Sequence, residues 1–189
     1  MKKKFALTLM TFASVALLAA CGEVSNNSSN TTGTEIGDTL KIGFNLEESG
    51  EVAAYGKAEQ KGAQLAIDEI NKAGGVDGKK IEVFNKDNKS ETGEAATVST
   101  NLVTQSKVNT IIGPATSGST ASSISNASKA GVPVITPSAT QDNLTKNQDY
   151  LFRATFIDSY QGQIISRYLT DNLKAKKAVS YTHLRAHET

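Results

Sequence analysis

Strand-like and helix-like patterns alternate along this chain, and the alternation limits the folds that it can adopt. Apolar residues of the first segment stand at every second position, which is the spacing of a β-strand: Leu40, Ile42, Phe44 and Leu46. In the next segment they stand three or four apart, which is the spacing of one helical face: Ala63, Ala66, Ile67, Ile70 and Ala73. Gly74 and Gly75 follow as a helix C-cap. The first unit of the fold is therefore a strand followed by a helix.

The same unit recurs along the chain. Further strands are predicted at residues 81–83, 108–112, 132–135 and 151–155, and another begins at Ala178 and Val179. Further helical faces are formed by three sets of residues: Ala95, Val98, Leu102 and Val103; Ala121, Ile124 and Ala127; and Ile164, Ile165, Tyr168, Leu169 and Leu173. Parallel strands require crossover connections, so the alternation predicts an α/β fold: a mainly parallel, doubly wound sheet with helices on both faces.

The first 20 residues have the pattern of an export signal. Three lysines at residues 2–4 precede an apolar run, residues 5–20, which is too short for a membrane span of about 20 apolar residues. Two small residues, Ala19 and Ala20, stand before Cys21, the only cysteine of the chain. This junction resembles a bacterial lipobox, in which the leader (residues 1–20) is removed and Cys21 carries lipid. An ordinary secretory leader beside an unrelated cysteine is the alternative.

Residues 21–38 are predicted to be a flexible linker behind the lipid. From Glu23 to Asp38 the chain is rich in Asn, Ser, Thr and Gly and has little apolar surface that could offset the entropy of ordering. One acyl chain binds a membrane only marginally, so stable anchoring needs the two or more chains that lipoprotein processing supplies. The expected location is therefore outside the cytoplasm, anchored by lipid to the bacterial cell membrane.

The charge balance argues against a nucleic-acid partner. Without the three lysines of the leader, 17 basic residues stand against 19 acidic ones, and the basic residues are scattered. Nucleic-acid binding depends on clustered positive charge. With Cys21 used for lipid no disulfide is possible, so stability has to come from packing.

Small hydroxyl residues open the helix that follows the third predicted strand. Residues 113–120 read GPATSGST. Ser and Thr are common N-caps, so capping alone is one explanation. An anion site is the other, because the unpaired N–H groups and the positive dipole end of a helix attract a carboxylate, and hydroxyls add further donors.

A second polar loop, residues 136–140 (TPSAT), follows the fourth predicted strand. It is either an ordinary turn or the second half of a site. If the third and fourth strands are neighbours, both loops meet at the sheet edge where ligands of such folds bind. Ser138 could then offer its backbone carbonyl to an ammonium group, and Thr140 its hydroxyl to either charge. Together the two loops suit a zwitterion.

These segments stand in an order that resembles a known family. They read LKIGFNLEESGEVAAYG, GAQLAIDEINKAGGVDGKKIEV, IIGPATSGSTAS, GVPVITPSAT and FRATFIDSYQG. With the leader, they resemble the substrate-binding lipoproteins of branched-chain amino-acid ABC transporters, which belong to the type I periplasmic-binding-protein family. The resemblance implies a two-lobed, monomeric receptor that closes over a free leucine, isoleucine or valine and delivers it to an ABC permease in the membrane.

The resemblance also implies roles for individual residues. Ser117 resembles the serine that holds the ligand carboxylate, with Ala115 and Thr116 lining the same loop, and Ser138 and Thr140 resemble the pair that holds the ammonium and carboxylate. Tyr55 resembles a tyrosine that packs on the ligand; a surface aromatic at a helix start is the alternative. Gly118 replaces a hydroxyl residue of some relatives, which leaves the number of side-chain donors open. Three further matches near the crossing between lobes are read as structural polar contacts: Arg153, Asp158 and Gln161.

The same resemblance divides the chain into parts of two lobes. It implies a partial N-terminal ligand-binding lobe over residues 39–176 and the start of a second lobe within residues 177–189. Residues 180–189 (SYTHLRAHET) hold both histidines and no apolar periodicity, and they look like a non-native tail. We therefore expect a truncated fragment that aggregates readily and binds ligand poorly, an expectation that a tight amino-acid titration would contradict.

Two other functions compete with this interpretation. An enzyme on a nucleotide-binding fold would carry a G-x-G-x-x-G, G-x-x-x-x-G-K-[ST] or G-x-S-x-G motif, and the sequence has none of them. His183 and His187 are spaced like a helical metal pair but lack an acidic companion motif, so no metal, cofactor or catalysis is expected. A receptor of the same fold for an amide, urea or a sugar remains open. A sugar usually recruits flat aromatic faces, and this chain has no Trp and only Tyr55 nearby.

Overall fold

The computed structural model describes residues 35–177 and 179, and a five-stranded sheet forms the centre of this part of the chain. The strands are β1 (Leu40–Leu46), β2 (Ile81–Asp87), β3 (Thr110–Ile112), β4 (Val134–Thr136) and β5 (Leu151–Arg153). Their order across the sheet is β2-β1-β3-β4-β5, and every neighbouring pair is parallel. The predicted α/β fold with a parallel sheet is confirmed.

Within the described residues the helices are α1 (Ala53–Lys72), α2 (Thr92–Thr104), α3 (Ser117–Lys129) and α4 (Asp158–Arg167), followed by a π-helical turn at Tyr168–Asn172. Each lies where the apolar spacing predicts a helix, but β3 and β4 begin two residues later than expected. The N–H of Val108 donates to the carbonyl of Leu102 at 3.1 Å, and that of Val132 to the carbonyl of Ala127 at 2.9 Å. Both residues therefore close the end of a helix before the chain enters the sheet.

Strand β1 packs against a different layer on each face. Ile42, Phe44 and Leu46 form an apolar cluster with Ile67 of α1. The alternate positions are small or polar, and Gly43 leaves room for Leu102 of α2, because a Cβ there would lie 2.9 Å from its methyl carbons. A second apolar cluster joins α2 and α3 to the sheet: Val98, Leu102, Val103, Val108, Ile111, Ile124, Ala127, Val132, Val134, Ala139, Leu144 and Leu151.

Within residues 35–177, the sheet edge formed by β4 and β5 is packed less completely against other elements than the rest of the sheet. Ile135 of β4 is 40% exposed and Phe152 of β5 is 53% exposed. No residue of α4 is buried, and Ile164, Ile165 and Tyr168 of its predicted apolar face are exposed. The apolar period therefore located this helix correctly, but the described residues provide nothing that buries its face.

Several sequence predictions concern residues outside the described part of the chain. These are the leader (residues 1–20), Cys21, the linker up to residue 34, Ala178 and the tail (residues 180–189). Residues 35–38 form no helix or strand, and Lys79 Nζ donates to the carbonyl of Gly37 at 2.7 Å. Val179 is described and lies in no strand.

None of the described helices is long and apolar enough to cross a membrane. The Asp and Glu residues of this part of the chain form no group of three or more that could hold a metal ion.

Gly56 and Gly62 of α1 give a matched test of how closely this helix approaches β1. A Cβ at Gly56 would lie 2.3 Å from the carbonyl oxygen of Glu47, whereas a Cβ at Gly62 would meet nothing within 4 Å. Overpacking costs about 1–3 kcal/mol, and alanine is favoured over glycine in a helix by about 0.5–1 kcal/mol. We therefore expect Gly56→Ala to lower the free energy of unfolding and Gly62→Ala to raise it, as measured by urea denaturation. Equal stability of the two variants would contradict the close approach.

Candidate functional site

Two polar loops meet at one edge of the sheet. The β3 loop (residues 113–118) leads from β3 into α3 and includes the first two residues of that helix. The β4 loop (residues 137–141) follows β4. Because β3 and β4 are parallel neighbours, the carboxyl ends of both strands lie at the same edge. The loops line a cleft of about 520 Å³. Its wall contains all six residues predicted from the sequence, Tyr55, Ala115, Thr116, Ser117, Ser138 and Thr140, together with Val52, Thr155, Phe156 and Gln161.

Direct hydrogen bonds hold the two loops together. The N–H of Gln141 donates to Ser117 Oγ at 3.2 Å, and Ser138 Oγ lies 3.0 Å from the carbonyl oxygen of Ala115. Gly113 makes the turn out of β3 possible: its φ is +99°, and a Cβ there would lie 2.2 Å from the carbonyl oxygen of Asn45. The β3 loop thus packs closely against β1 and against the β4 loop at the same time.

Glu47, at the residue after β1, is the main feature that the sequence analysis missed. The side chain is fully buried, and its carboxylate accepts hydrogen bonds from Ala115 N at 2.9 Å, Thr116 N at 3.1 Å and Thr116 Oγ1 at 3.0 Å. Ala115 and Thr116 therefore line the cleft with their backbone donors already used inside the protein. The period-two pattern of β1 carried the signal for this burial, since Glu47 continues the face of Gly43 and Asn45 that packs toward α2.

The start of α3 uses some donors for capping and leaves others without a partner. Thr116 is the N-cap, and its Oγ1 accepts from Ser119 N at 3.4 Å. Among the described residues, no group bonds to the N–H of Ser117 or of Gly118. The Ser117 hydroxyl accepts from Gln141, so its own proton is free to be donated. Capping and an anion site, the two alternatives for this loop, are therefore compatible at adjacent residues.

Acceptor groups lie on the β4 loop across the cleft. The carbonyl of Thr140 already accepts from Asp158 N at 3.0 Å. For the carbonyl of Ser138 and the hydroxyl of Thr140, the described part of the chain supplies no hydrogen-bond partner. The cleft thus presents N–H and O–H donors from one loop and oxygen acceptors from the next.

Arg153 of β5 holds the β4 loop in place. Its guanidinium donates to the carbonyls of Ala139 at 3.2 Å and Gln141 at 2.8 Å. Ser159 N, at the start of α4, donates to Asp142 Oδ1 at 3.0 Å; this bond and the nearby charge of Arg153 lower the pKa of Asp142. Arg153 makes the structural polar contacts that the sequence analysis expected of it.

Tyr55 forms part of the opposite wall of the cleft, in the first turn of α1, and is 62% exposed. The segment between β1 and α1 is held by Asp87, whose carboxylate accepts from Glu48 N at 3.0 Å and from Ser49 Oγ at 2.6 Å. Burial acts to raise the pKa of Asp87, but hydrogen bonds from Ser49, Lys89 and Glu48 outweigh it and lower that pKa. This anchoring places an exposed aromatic ring beside the two polar loops.

Comparison with known proteins gives a consistent match. The chain matches the family described as "Periplasmic binding protein" over residues 39–187. The "Leucine-, isoleucine-, valine-, threonine-, and alanine-binding protein" of Pseudomonas aeruginosa is 34% identical over 140 residues, which are 74% of this chain and 37% of that protein. The "Leu/Ile/Val-binding protein" of Escherichia coli K12 is 30% identical over 163 residues, 86% of this chain and 43% of that protein. The chain thus spans less than half the length of these curated relatives.

Solved structures agree with this match. The branched-chain amino acid transporter substrate-binding protein LivJ from Streptococcus pneumoniae, in complex with isoleucine, is 72% identical with a TM-score of 0.71, covering 72% of this chain and 39% of that one. The leucine-binding protein LivK from Thermotoga maritima is 30% identical with a TM-score of 0.66, covering 73% and 39%. A solute-binding protein from Rhodopseudomonas palustris, in complex with 3,4-dihydroxybenzoic acid, is 28% identical with a TM-score of 0.67, covering 72% and 37%.

Replacing Glu47 tests whether its carboxylate organises the β3 loop. Glu47→Gln removes the charge and turns an NH₂ group toward donors, which leaves at least one buried donor unsatisfied. Such a loss costs about 1–3 kcal/mol, so the free energy of unfolding in urea should fall by at least that amount. Glu69→Gln, at an exposed position of α1, is the control and should change stability by less than about 0.5 kcal/mol. A Glu47→Gln variant as stable as the control would rule out this role.

Proposed function

The chain belongs to the periplasmic binding protein family, and on that premise we propose that it binds a free branched-chain amino acid outside the cytoplasm for delivery to an ABC importer. The observation that carries the proposal is the arrangement of the cleft. Ser117, whose N–H has no partner among the described residues, lines the same cleft as Ser138, with an unpartnered carbonyl, and Thr140, with an unpartnered hydroxyl. A ligand with one negative and one positive group a few bonds apart satisfies both sets.

The ligand carboxylate is assigned to the start of α3. The N–H groups of Ser117 and Gly118 and the hydroxyl of Ser117 supply the donors, and the positive end of the helix dipole adds to them. The ligand ammonium is assigned to the carbonyl of Ser138 and the hydroxyl of Thr140. Hydrogen bonds to charged groups contribute about 1.5–3 kcal/mol each, so three or four of them suffice for micromolar binding after the costs of association.

Apolar groups around the cleft suit an apolar side chain on the ligand. Val52, Tyr55 and Phe156 line it, and Phe156 is 50% exposed. Discrimination among leucine, isoleucine and valine is expected to be weak here, because one methylene is worth only about 1–3 kcal/mol. The relatives support this ligand class, since their names state leucine, isoleucine and valine binding and one structure contains isoleucine.

Delivery and anchoring rest on the family and on the leader. The family consists of solute-binding receptors that act outside the cytoplasm. We infer that Cys21 carries the lipid that keeps the protein at the membrane, beside an ABC permease as its partner, and that the protein acts as a monomer without a cofactor or catalytic activity.

A second candidate function is binding of another small solute by the same cleft. The Rhodopseudomonas palustris protein was solved with 3,4-dihydroxybenzoic acid, which has a carboxylate and no ammonium group. Amides, urea and sugars belong to the same alternative. Binding of these compounds in place of L-leucine, L-isoleucine and L-valine would favour it.

Ser117→Ala tests the assignment of the ligand carboxylate. L-leucine is titrated into the ¹⁵N-labelled chain and the amide shifts are followed, because that measurement also detects weak binding. We expect shifts centred on Ser117, Gly118 and Thr140, and a loss of affinity of about tenfold to a hundredfold in Ser117→Ala, the equivalent of one charged hydrogen bond. Ser125→Ala, at an exposed position of the same helix, is the control and should bind like the parent.

Two ligand analogues complete the test. N-acetyl-L-leucine lacks the ammonium group and L-leucinamide lacks the carboxylate, so each should bind more weakly than L-leucine. An analogue that bound as well as L-leucine would contradict the role of the loop assigned to its missing charge. Shifts located elsewhere on the chain would overturn the site itself.

A further inference from the structure

A carboxyl group behind the cleft contacts Ser138 from another element of the fold. Glu59 lies on α1, and its Oε1 is 2.5 Å from Ser138 Oγ. Its second oxygen, Oε2, is buried and has no hydrogen-bond partner among the described residues. Glu59 is not among the residues that line the cleft, but its hydrogen bond with Ser138 connects it to one that is.

The Ser138 hydroxyl stands between two oxygen atoms and has one proton. It lies 2.5 Å from Glu59 Oε1 and 3.0 Å from the carbonyl oxygen of Ala115. With a neutral Glu59, the carboxylic acid donates to Ser138 Oγ and Ser138 donates to Ala115, so both short contacts are hydrogen bonds. With an ionised Glu59, Ser138 can donate to only one of the two acceptors, and the contact between the loops is lost or the carboxylate is left without its donor.

The surroundings of Glu59 favour the neutral form. Burial raises the pKa of its carboxyl above the ordinary value, the hydrogen bond with Ser138 lowers it, and the negative charge of Glu47 raises it again; the net direction is upward. Glu47, from the end of β1, is the charged group that acts on it from a packed element. The two loops present neutral groups, the Ser138 hydroxyl and the Ala115 carbonyl, and Lys57 and Lys61 of α1 are exposed.

We propose that Glu59 is a positioning residue that, as a neutral carboxylic acid, links α1 through Ser138 to the β3 loop and thereby holds the ligand acceptors in place; for its effect on binding, this inference rests on the proposed function. Ionisation of Glu59 breaks the link between the loops. Affinity for the amino acid therefore decreases as the pH rises.

Ionisation of Glu59 is expected to lower the stability of the fold as well as the affinity for the ligand. A carboxyl whose pKa is higher in the folded than in the unfolded chain binds more protons when folded at pH values between the two pKa values. Its contribution to stability is present at low pH and is lost as the pH rises through the pKa of the folded state. Glu59→Gln keeps a neutral donor at this position and should remove that dependence.

The first arm of the test needs no ligand. The amide resonances of Ser138 and Ala115 are followed in the ¹⁵N-labelled chain from about pH 4 to about pH 8, a range that brackets a raised carboxyl pKa. We expect both to shift in one titration step that is absent in Glu59→Gln and retained in the control Glu69→Gln. A titration that persists in Glu59→Gln would overturn the proposal, whether or not the chain binds an amino acid.

The second arm measures binding of L-leucine across the same pH range. The parent chain should lose affinity by about threefold to tenfold as the pH rises, the scale of one neutral hydrogen bond. Glu59→Gln should bind with the low-pH affinity of the parent throughout, and Glu59→Ala should bind weakly at every pH. A parent-like slope in Glu59→Gln, or parent-like affinity in Glu59→Ala, would contradict the positioning role. Absence of binding by the parent at every pH would instead count against the proposed function, and the ligand-free arm would then decide the role of Glu59.

Discussion

The buried carboxylate of Glu47 accepts hydrogen bonds from two backbone N–H groups and a hydroxyl of the β3 loop. Moving an ionised group out of water costs several kcal/mol, so such a residue is tolerated only where donors replace its hydration. The start of α3 supplies these donors together with the positive end of a helix dipole. As a result the end of β1 and the start of α3 are tied together. The next residue, Ser117, lines the cleft, and its N–H has no hydrogen-bond partner among the described residues.

Two glutamates thus support the cleft from different hydrogen-bonding surroundings. Glu47 is surrounded by donors, whereas Glu59 contacts a hydroxyl and has one oxygen without a partner among the described residues. Burial together with the charge of Glu47 disfavours a second negative charge at Glu59. Ser138 connects the pair to the β4 loop, so the acceptor side and the donor side of the cleft are parts of one hydrogen-bonded network. In such a network the geometry of one loop depends on the protonation of a residue that does not touch the ligand.

Apolar periodicity predicted which segments form strands and helices but not what they pack against. Ile67 of α1 is buried as expected, whereas Ile70 on the same predicted face is 39% exposed. Strands β3 and β4 are shorter than predicted because Val108 and Val132 donate to helix carbonyls instead of joining the sheet. The positions of Ser117 and Thr140 on loops at strand ends were readable from the alternation of elements. The alternation in β1 places Glu47 on a buried face of the strand. Glu47 and Glu59 were nevertheless not identified, since a carboxylate in a sequence gives no sign of which distant donors will face it.

The sequence by itself determined the parallel α/β fold and the two polar loops, because both follow from local spacing along the chain and from the rule that parallel strands need crossovers. Tertiary structure alone decided how the polar groups of those loops are used. Pairing of β3 with β4 placed the loops side by side, and buried side chains from β1 and α1 consumed some of their hydrogen-bonding groups and left others for a ligand. The physical reason is that these hydrogen bonds join atoms about 3 Å apart that belong to residues far apart in sequence. No local pattern in the sequence records such contacts.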